Sequence, residues 1–353
     1  MSKTFRVGIA GYGIVGKRRR LFIDHHPRLQ TVAICDRDFS EGDVLDDGVR
    51  CYKQYERLLT ESLDILFVCL PNDMAPVVTI AGLEKELHVF CEKPPGRDLA
   101  DVARVISCER HHPQLKLKYG FNHRYHDSVK EALQVVRSND LGQVINIRGV
   151  YGKSRILSFA RTASMPDWRT RREIAGGGIL LDQGIHMVDM MRLFAGEFTD
   201  VHSFVSNGYW NYDVEDNAYA LMRTADGVVA MLHSSATQWR HRFQMEITLG
   251  HGMIILSGIL SGTKSYDAET LTVARVGEND RGDPRELTTR YNEDNSWRDE
   301  INEFADAIVA DKRIMNGSSD DALKTMKLVY QIYCADQQWS AKYNLSDDIP
   351  QHA

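Results

Sequence analysis

Residues 5–120 alternate between short apolar runs and stretches of helical period, and this rhythm restricts the fold more than any other feature of the 353-residue chain. The runs FRVGIA, TVAICD, DILFVCLP, HVFCEK and LKLKYGFN are rich in Val, Ile, Leu, Phe and Cys and read as strands. Between most of them lie helical stretches such as MAPVVTIAGLEKE and DLADVARVISCERHH. A strand that is apolar along its whole length must be covered on both faces, which is the situation of a parallel sheet with helices on either side. Parallel neighbours need right-handed crossovers, so a doubly wound Rossmann domain is expected over residues 1–122.

Beyond residue 123 the rhythm changes. The helix DSVKEALQVVRS leads to the strand QVINIRGVYG, a basic loop, and then the helical stretch GGGILLDQGIHMVD. AYALMRTADGVVAMLHSSA turns at Asp226-Gly227 and FQMEITLGHGMIILSG at Gly250-His251-Gly252, both good hairpin signals. Their apolar residues alternate only loosely, which fits a large antiparallel sheet with one covered face. Residues 278–295 are polar and hold at most one short strand, and helices follow at about 296–311 and 319–340. The expectation is an α/β chain of two domains. The second, residues 123–353, carries a large, mainly antiparallel open sheet and terminal helices at about 296–340. A length of roughly 150 residues per domain gives the same count.

The net charge of −6 argues against nucleic acid and anionic membrane surfaces as partners. Six cysteines are scattered without a C-x-x-C pair, which fits a reducing compartment and no metal cluster. FRVGIA begins after four residues, leaving no room for a signal peptide, and no apolar run reaches about 18 residues. The cytoplasm is the expected location.

VGIAGYGIVGKRRR places Gly11, Gly13 and Gly16 as G-x-G-x-x-G after the first strand and at the opening of a helix. The first glycine permits a tight turn, the second lets a pyrophosphate approach the backbone, and the third allows close helix–strand packing. The helix N-terminus then meets the phosphates with free N–H groups. Asp36 follows Gly16 by 20 residues at the end of the second strand, where an acid accepts bonds from ribose hydroxyls and repels a 2′-phosphate. NAD is therefore the expected cofactor. The neighbouring Arg37 leaves NADP open, and a methyl-donor cofactor held by a similar loop is not excluded by the motif. Lys17 to Arg20 read as a solvated basic face.

CLPND ends the strand DILFVCLP, and CEKPPG ends HVFCEK. Ligands of such sheets bind beyond the carboxyl ends of the strands. Pro71 and the pair Pro94-Pro95 stiffen those ends, so Lys93 is presented on a firm frame. In GGGILLDQGIHMVD, Asp182 and His186 lie one helical turn apart, with Asp189 a further turn along. The remaining positions are apolar almost all round, as in a buried helix. A carboxylate buried without a partner costs several kcal/mol, so this stripe must face partners or a wet cleft. One reading is a self-satisfied Asp–His–Asp ladder. The other makes His186 the group that takes a hydroxyl proton, oriented by a carboxylate. A metal is not expected, since nothing completes a shell around D-x-x-x-H. Gly176 to Gly178 would let the junction approach a ligand closely.

Taken in order, G-Y-G-I-V-G, Pro71-Asn72, C-E-K-P (91–94), N-H-R-Y (122–125), D-W-R (167–169) and G-G-G-I-L-L-D-Q-G-I-H (176–186) resemble the Gfo/Idh/MocA oxidoreductases over nearly the whole chain. The resemblance implies NAD(P)-dependent hydride transfer to or from a hydroxyl or carbonyl of a sugar, cyclitol or nucleotide sugar. It implies Lys93, Asp182 and His186 as the catalytic and substrate-orienting group. Cofactor contacts would come from Gly11, Tyr12, Gly13, Ile14, Val15, Asp36, Arg37, Leu70, Pro71, Asn72, Glu92, Lys93, Asn122, Trp168 and Arg169. Arg124 and Tyr151 would line the substrate pocket with Asp182 and His186. A homodimer or homotetramer through the C-terminal sheet is also implied. Ala75 departs from the pattern, because many members carry a histidine three residues after the asparagine. Two other functions stay open: an NAD-retaining glycoside hydrolase of the same fold, and a non-catalytic NAD-binding regulatory protein.

Overall fold

The computed structural model describes residues 3–40, 42–156, 167–261, 265–277 and 279–350. Most of the basic loop expected after the strand QVINIRGVYG, residues 157–166, lies outside the described residues. The strands are β1 Phe5–Ala10, β2 Leu29–Cys35, β3 Arg50–Tyr52, β4 Ile65–Val68, β5 His88–Glu92, β6 Leu117–Gly120, β7 Val144–Gly152, β8 Phe198–Ser206, β9 Asn217–Thr224, β10 Val229–Ser235, β11 Arg242–Leu249, β12 Gly252–Ser257, β13 Glu269–Arg275 and β14 Arg285–Tyr291. The helices are α1 Ile14–His25, α2 Tyr55–Leu58, α3 Ala75–Glu84, α4 Leu99–Glu109, α5 Asp127–Ser138, α6 Arg172–Ala175, α7 Ile185–Ala195, α8 Ser296–Val309, α9 Ser319–Ala335 and α10 Gln337–Tyr343.

The chain divides into two compact units. The first holds the described residues of Met1–Phe121, Trp297–Met326 and Asp348–Ala353. Its sheet has the order β3-β2-β1-β4-β5-β6, with every neighbouring pair parallel. All four residues of β4 are buried, as the unbroken apolar runs require. Strand order reverses between β1 and β4, so the turn after β1 stands at the switch point where ligands of open parallel sheets bind. The three-residue edge strand β3 is an addition to the expected set.

The sequence reading gives all of 123–353 to the second domain. The chain instead returns, and most of α8 packs in the first unit. The cause is apolar complementarity: Ile301, Phe304 and Ile308 join Val7, Ile9, Phe67 and Phe90 in one core. The Phe304 ring meets Phe67 and Phe90 edge-on, at 6.1 and 5.5 Å between centroids.

The second unit comprises Asn122–Ser296 and Lys327–Asp347. Its eight strands run β14-β13-β12-β11-β7-β10-β9-β8, antiparallel except for the central pair β7 and β10. Both expected hairpins form, β9 with β10 around Asp226-Gly227 and β11 with β12 around Gly250-His251. Burial alternates along β9 from Ala218 onward: Ala218, Ala220 and Met222 face the core while Tyr219 and Leu221 face out. The loose hydrophobic alternation therefore reflects an apolar outer face. Helix α7 lies close on β7 because Gly149 leaves room; a Cβ there would meet Met191 and Met187 at 2.5 and 2.8 Å. The expected helix over 319–340 breaks at Asp336, whose carboxylate accepts the N–H groups of Trp339 and Val205.

Candidate active site

In the first unit the glycine turn is built as the motif predicts. Gly11 has φ +90° and its N–H bonds the Cys35 carbonyl at 2.8 Å. A Cβ on Gly11 would lie 2.3 Å from the Cys69 carbonyl oxygen, and one on Gly16 2.0 Å from that of Gly11. Gly13 is different: a Cβ would meet nothing within 4 Å. No protein packing explains its size, whereas the approach of a pyrophosphate does. Gly13 caps α1 without a side-chain bond, and the first turn carries no acid, so its N–H groups and positive end can face an anion. Tyr12, Ile14 and Val15 ring this opening, with Ile14 exposed. The residues present fit a dinucleotide.

Asp36 accepts the Tyr12 N–H at 2.8 Å through Oδ2 and the Asp38 N–H at 3.3 Å through Oδ1. It thus braces the glycine turn as well as presenting charge at the end of β2. Arg37 is exposed, with Nε 3.9 Å from Asp38.

After β4, Leu70 and Pro71 are half-buried and Asn72 is buried. The Pro71 carbonyl accepts the N–H groups of Met74 and Ala75 and so starts α3. Ala75, where the family pattern has histidine, is the buried first residue of that helix.

Glu92 ends β5, and its partner is Arg19, Nε to Oε1 at 2.5 Å. Arg19 also donates to Glu300 at 2.7 Å and stacks on Phe90 and Trp297. It is fully buried, which corrects the reading of Lys17 to Arg20 as a solvated face. Although burial opposes its charge, the two carboxylates raise its pKa, so it stays cationic. Lys93 follows as a half-buried residue whose peptide with Pro94 is cis. The buried residues Pro94, Pro95 and Gly96 then run to Asp101, which takes Arg97 and Arg104. Lys93 is therefore anchored on both flanks. Burial pushes the Cys91 thiol up to about 12 and the Cys69 thiol well above its ordinary value, so neither offers a thiolate here.

In the second unit the polar stripe separates into three different environments. Leu180–Gly184 form a π-helical turn that runs into α7, a distortion often found at functional positions. Asp182 receives Lys153 Nζ at 2.9 Å and stands 3.4 Å from Arg169 Nε. The buried His186 ring stacks on His123, 3.8 Å between centroids and 12° apart. Asp189 is fully buried and receives both prongs of Arg124, at 2.7 and 2.5 Å. The stripe is thus not self-contained: Asp182 and Asp189 each receive a cation from outside it. The Arg124 guanidinium, expected to line the pocket, fastens α7 to the Asn122–Tyr125 turn.

Tyr151 is buried beside this group, its hydroxyl 3.1 Å from His123 Nε2. Burial raises its pKa well above 10. Gln183 donates to the Tyr266 hydroxyl at 2.5 Å, and burial lifts that phenol to about 12. Asn122 donates to Ser296 Oγ at 3.0 Å and holds its Oδ1 3.3 Å from His123 Nδ1, so it serves this cluster. Trp168 carries the Arg169 guanidinium over its ring at 4.4 Å.

The glycine run is explained by protein packing rather than ligand approach. A Cβ on Gly177 would lie 2.3 Å from the Tyr333 hydroxyl, and one on Gly178 2.0 Å from the Glu215 carbonyl oxygen. The buried Glu215 carboxylate accepts the N–H groups of Gly178 and Leu180 and the Tyr333 hydroxyl, at 2.7, 3.0 and 2.6 Å. Glu215, Lys153 and His123 escaped sequence reasoning. Lys153 left a signal as a cation directly after a strand that ends in Tyr-Gly, and His123 left one as part of N-H-R-Y. Among the described residues no three His, Cys, Asp or Glu side chains are grouped to hold a metal ion, and no helix is long and apolar enough to cross a membrane.

This arrangement supplies a cationically braced carboxylate and an imidazole one turn apart, in a chain that also carries a dinucleotide turn. The description "Oxidoreductase family, NAD-binding Rossmann fold" matches residues 5–121, and "GFO/IDH/MocA C-terminal domain" matches residues 129–255. The chain is 28 % identical over 263 residues to the D-glucoside 3-dehydrogenase of Escherichia coli (strain K12), covering 66 % of this chain and 71 % of that protein. It is 24 % identical over 332 residues to D-xylose 1-dehydrogenase (NADP(+)) 2 of Haloferax volcanii, covering 92 % and 95 %. A levoglucosan dehydrogenase solved with NADH and levoglucosan shares the fold, with a TM-score of 0.82 at 19 % identity over 96 % of this chain and 98 % of that one. The chain belongs to the Gfo/Idh/MocA family of NAD-binding oxidoreductases.

Proposed function

We propose that the protein oxidises a secondary hydroxyl of a sugar or cyclitol, or runs the reverse reduction. A bound NAD would supply the hydride acceptor. The chain's residues do the rest. Gly11, Gly13 and the start of α1 would hold its pyrophosphate, and Asp36 would hold its adenine ribose. Asp182 accepts hydrogen bonds from substrate hydroxyls. His186 takes the hydroxyl proton, and Lys93 is the second residue assigned to proton handling. The observation that carries this reading is the setting of Asp182: Lys153 Nζ lies 2.9 Å and Arg169 Nε 3.4 Å from its carboxylate, one turn from an imidazole. An ionised carboxylate is an acceptor only, suited to a polyhydroxy ligand.

The relatives named as glucoside, xylose and inositol dehydrogenases support the substrate class. Asp36 supports NAD over NADP. The outward Phe204, Tyr219, Leu221 and Met231 support a homodimer or homotetramer formed through the sheet. Six free cysteines support a reducing, cytoplasmic location. The test is NADH formation against free sugars, sugar phosphates, cyclitols and nucleotide sugars, repeated with NADP. Turnover with a sugar or cyclitol and NAD is the expected result; glycoside cleavage with no net NADH would overturn it.

A further inference from the structure

The edge of the sheet that carries Lys153 also carries an exposed aromatic corner that the proposed chemistry leaves unused. β7 and β10 are parallel, and β9 runs antiparallel between β10 and β8. The C-terminal ends of β7, β8 and β10 therefore share one edge. There β7 runs into Lys153, β10 into residues 236–241, and β8 into residues 207–216. The last two loops bring Tyr209, Trp210 and Trp239 together. Tyr209 and Trp239 are 61 % and 60 % exposed, and their rings meet at 70° with centroids 5.4 Å apart, as two walls of a corner. Trp210 lies against both, at 5.0 and 6.1 Å, and takes the Arg155 guanidinium over its ring at 5.4 Å.

The corner is held firmly. The buried Asp216 carboxylate accepts the N–H groups of Tyr209 and Trp210 at 2.9 and 3.0 Å. The Trp210 indole donates to the Ala236 carbonyl at 2.7 Å, and Asn207 donates to the Tyr212 carbonyl at 2.8 Å. These bonds hold the Tyr209–Trp210 backbone and the Trp210 ring, yet Tyr209 and Trp239 keep two large rings in water, where a loop with no ligand to meet would gain by folding them inward. The corner also joins the candidate site. Gln238 N–H donates to the Lys153 carbonyl at 3.0 Å, Lys153 N–H to the Ser235 carbonyl at 2.8 Å, and Ser154 Oγ stands 3.2 Å from His241 Nε2.

We infer that this corner is a saccharide-stacking subsite, so that the substrate is a glycoside of at least two rings rather than a free monosaccharide. The ring bearing the reacting hydroxyl lies at Asp182, and the second ring rests its C–H face on Trp239 and Tyr209. Pyranose C–H groups are weakly positive and suit the negative face of an aromatic ring. Arg155 offers donors to the hydroxyls at the rim. Continuity with Lys153 favours a sugar over a protein partner, since both ends of such a substrate then meet complementary chemistry. No bond is made or broken at the corner.

This deepens the proposed sugar oxidation and rests on it, yet it can fail separately. The experiment compares glucose and galactose with maltose, cellobiose and lactose in the wild type, Trp239→Ala and Tyr209→Ala. KM and kcat are read from NADH formation, and binding from tryptophan fluorescence with NAD present. One disaccharide should show a lower KM than its monosaccharide. Trp239→Ala should raise that KM about five- to tenfold, leaving kcat and the monosaccharide values within about twofold. Equal effects on mono- and disaccharide overturn the inference, as does the absence of both a disaccharide preference and a fluorescence change. A variant that alters sedimentation without moving KM assigns the corner to a protein surface instead. If no sugar is oxidised, the functional reading falls, and the fluorescence titration still decides the corner.

Discussion

Asp36 performs two tasks with one carboxylate, bracing the glycine turn through the Tyr12 N–H and presenting charge at the end of β2. The two are separable. Asp36→Asn keeps an oxygen for the Tyr12 N–H and removes the charge that repels a 2′-phosphate. The variant should stay folded and shift its ratio of NAD to NADP kcat/KM toward NADP by about tenfold, read by paired kinetics with the two cofactors. At the other end, Lys153→Met removes one cation from Asp182 and leaves Arg169 in place. A positioning role predicts that kcat/KM falls by about ten- to a hundredfold while cofactor binding is unchanged, and Lys153→Arg should restore part of it. Residue chemistry was only partly legible in sequence. Asp182 and His186 stood out because charge interrupts an apolar helix. Asp189 stood out equally, and only coordinates reveal that Arg124, 65 positions away, neutralises it. Arg19 looked like one of four surface cations, because nothing local announces Glu92 and Glu300 as its partners.

Elements were the most readable level where their signals are local. The apolar runs, the hairpin turns and α5 follow from period and turn chemistry within a few residues. β3 was missed because only Cys51 of its three residues is buried, and a pattern that short has no period. The Gly176–Gly178 run was read toward ligand because the groups that demand small size there, Glu215 and Tyr333, lie far along the chain. Gly178→Ala should therefore destabilise by about 1–3 kcal/mol or more, since its new methyl meets backbone that cannot swing aside. Gly208→Ala, whose Cβ would meet nothing within 4 Å, is the control, and thermal melting separates the two. α5 is tied to β13 by a second device. Burial favours the neutral form of Glu269, but His126, Ser128 and the Leu260 N–H outweigh it and hold the carboxyl below its ordinary 4.5. A depressed acid contributes stability that is present above pH 4.5 and lost as pH falls through the folded value. Asp101 behaves alike below 3.8 through Arg97 and Arg104. The melting temperature should drop as pH is lowered below about 4.5, and Glu269→Gln should flatten part of that slope.

On the scale of the molecule, two units were expected from the change in rhythm near residue 123, and the return of α8 to the first was not. Its apolar stripe does not itself name a unit; the core formed by Val7, Ile9, Phe67 and Phe90 receives it. The assembly proposed for the sheet's outer face can be tested by mutation. Leu221 and Met231 are cross-strand partners, each about half exposed. Leu221→Asp with Met231→Asp should reduce the sedimentation coefficient to that of a smaller species while leaving the fold intact by circular dichroism. The central proposal is that Lys93 and His186 both serve the oxidation of the substrate hydroxyl. It is tested most directly by kcat for NADH formation, with the best substrate of the panel, in Lys93→Met, His186→Asn and the double variant. The account predicts that each single change lowers kcat by about a hundredfold or more and that the double variant is little worse than either, because the two act as a unit. Single variants that retain wild-type kcat, while still binding NAD, would contradict it.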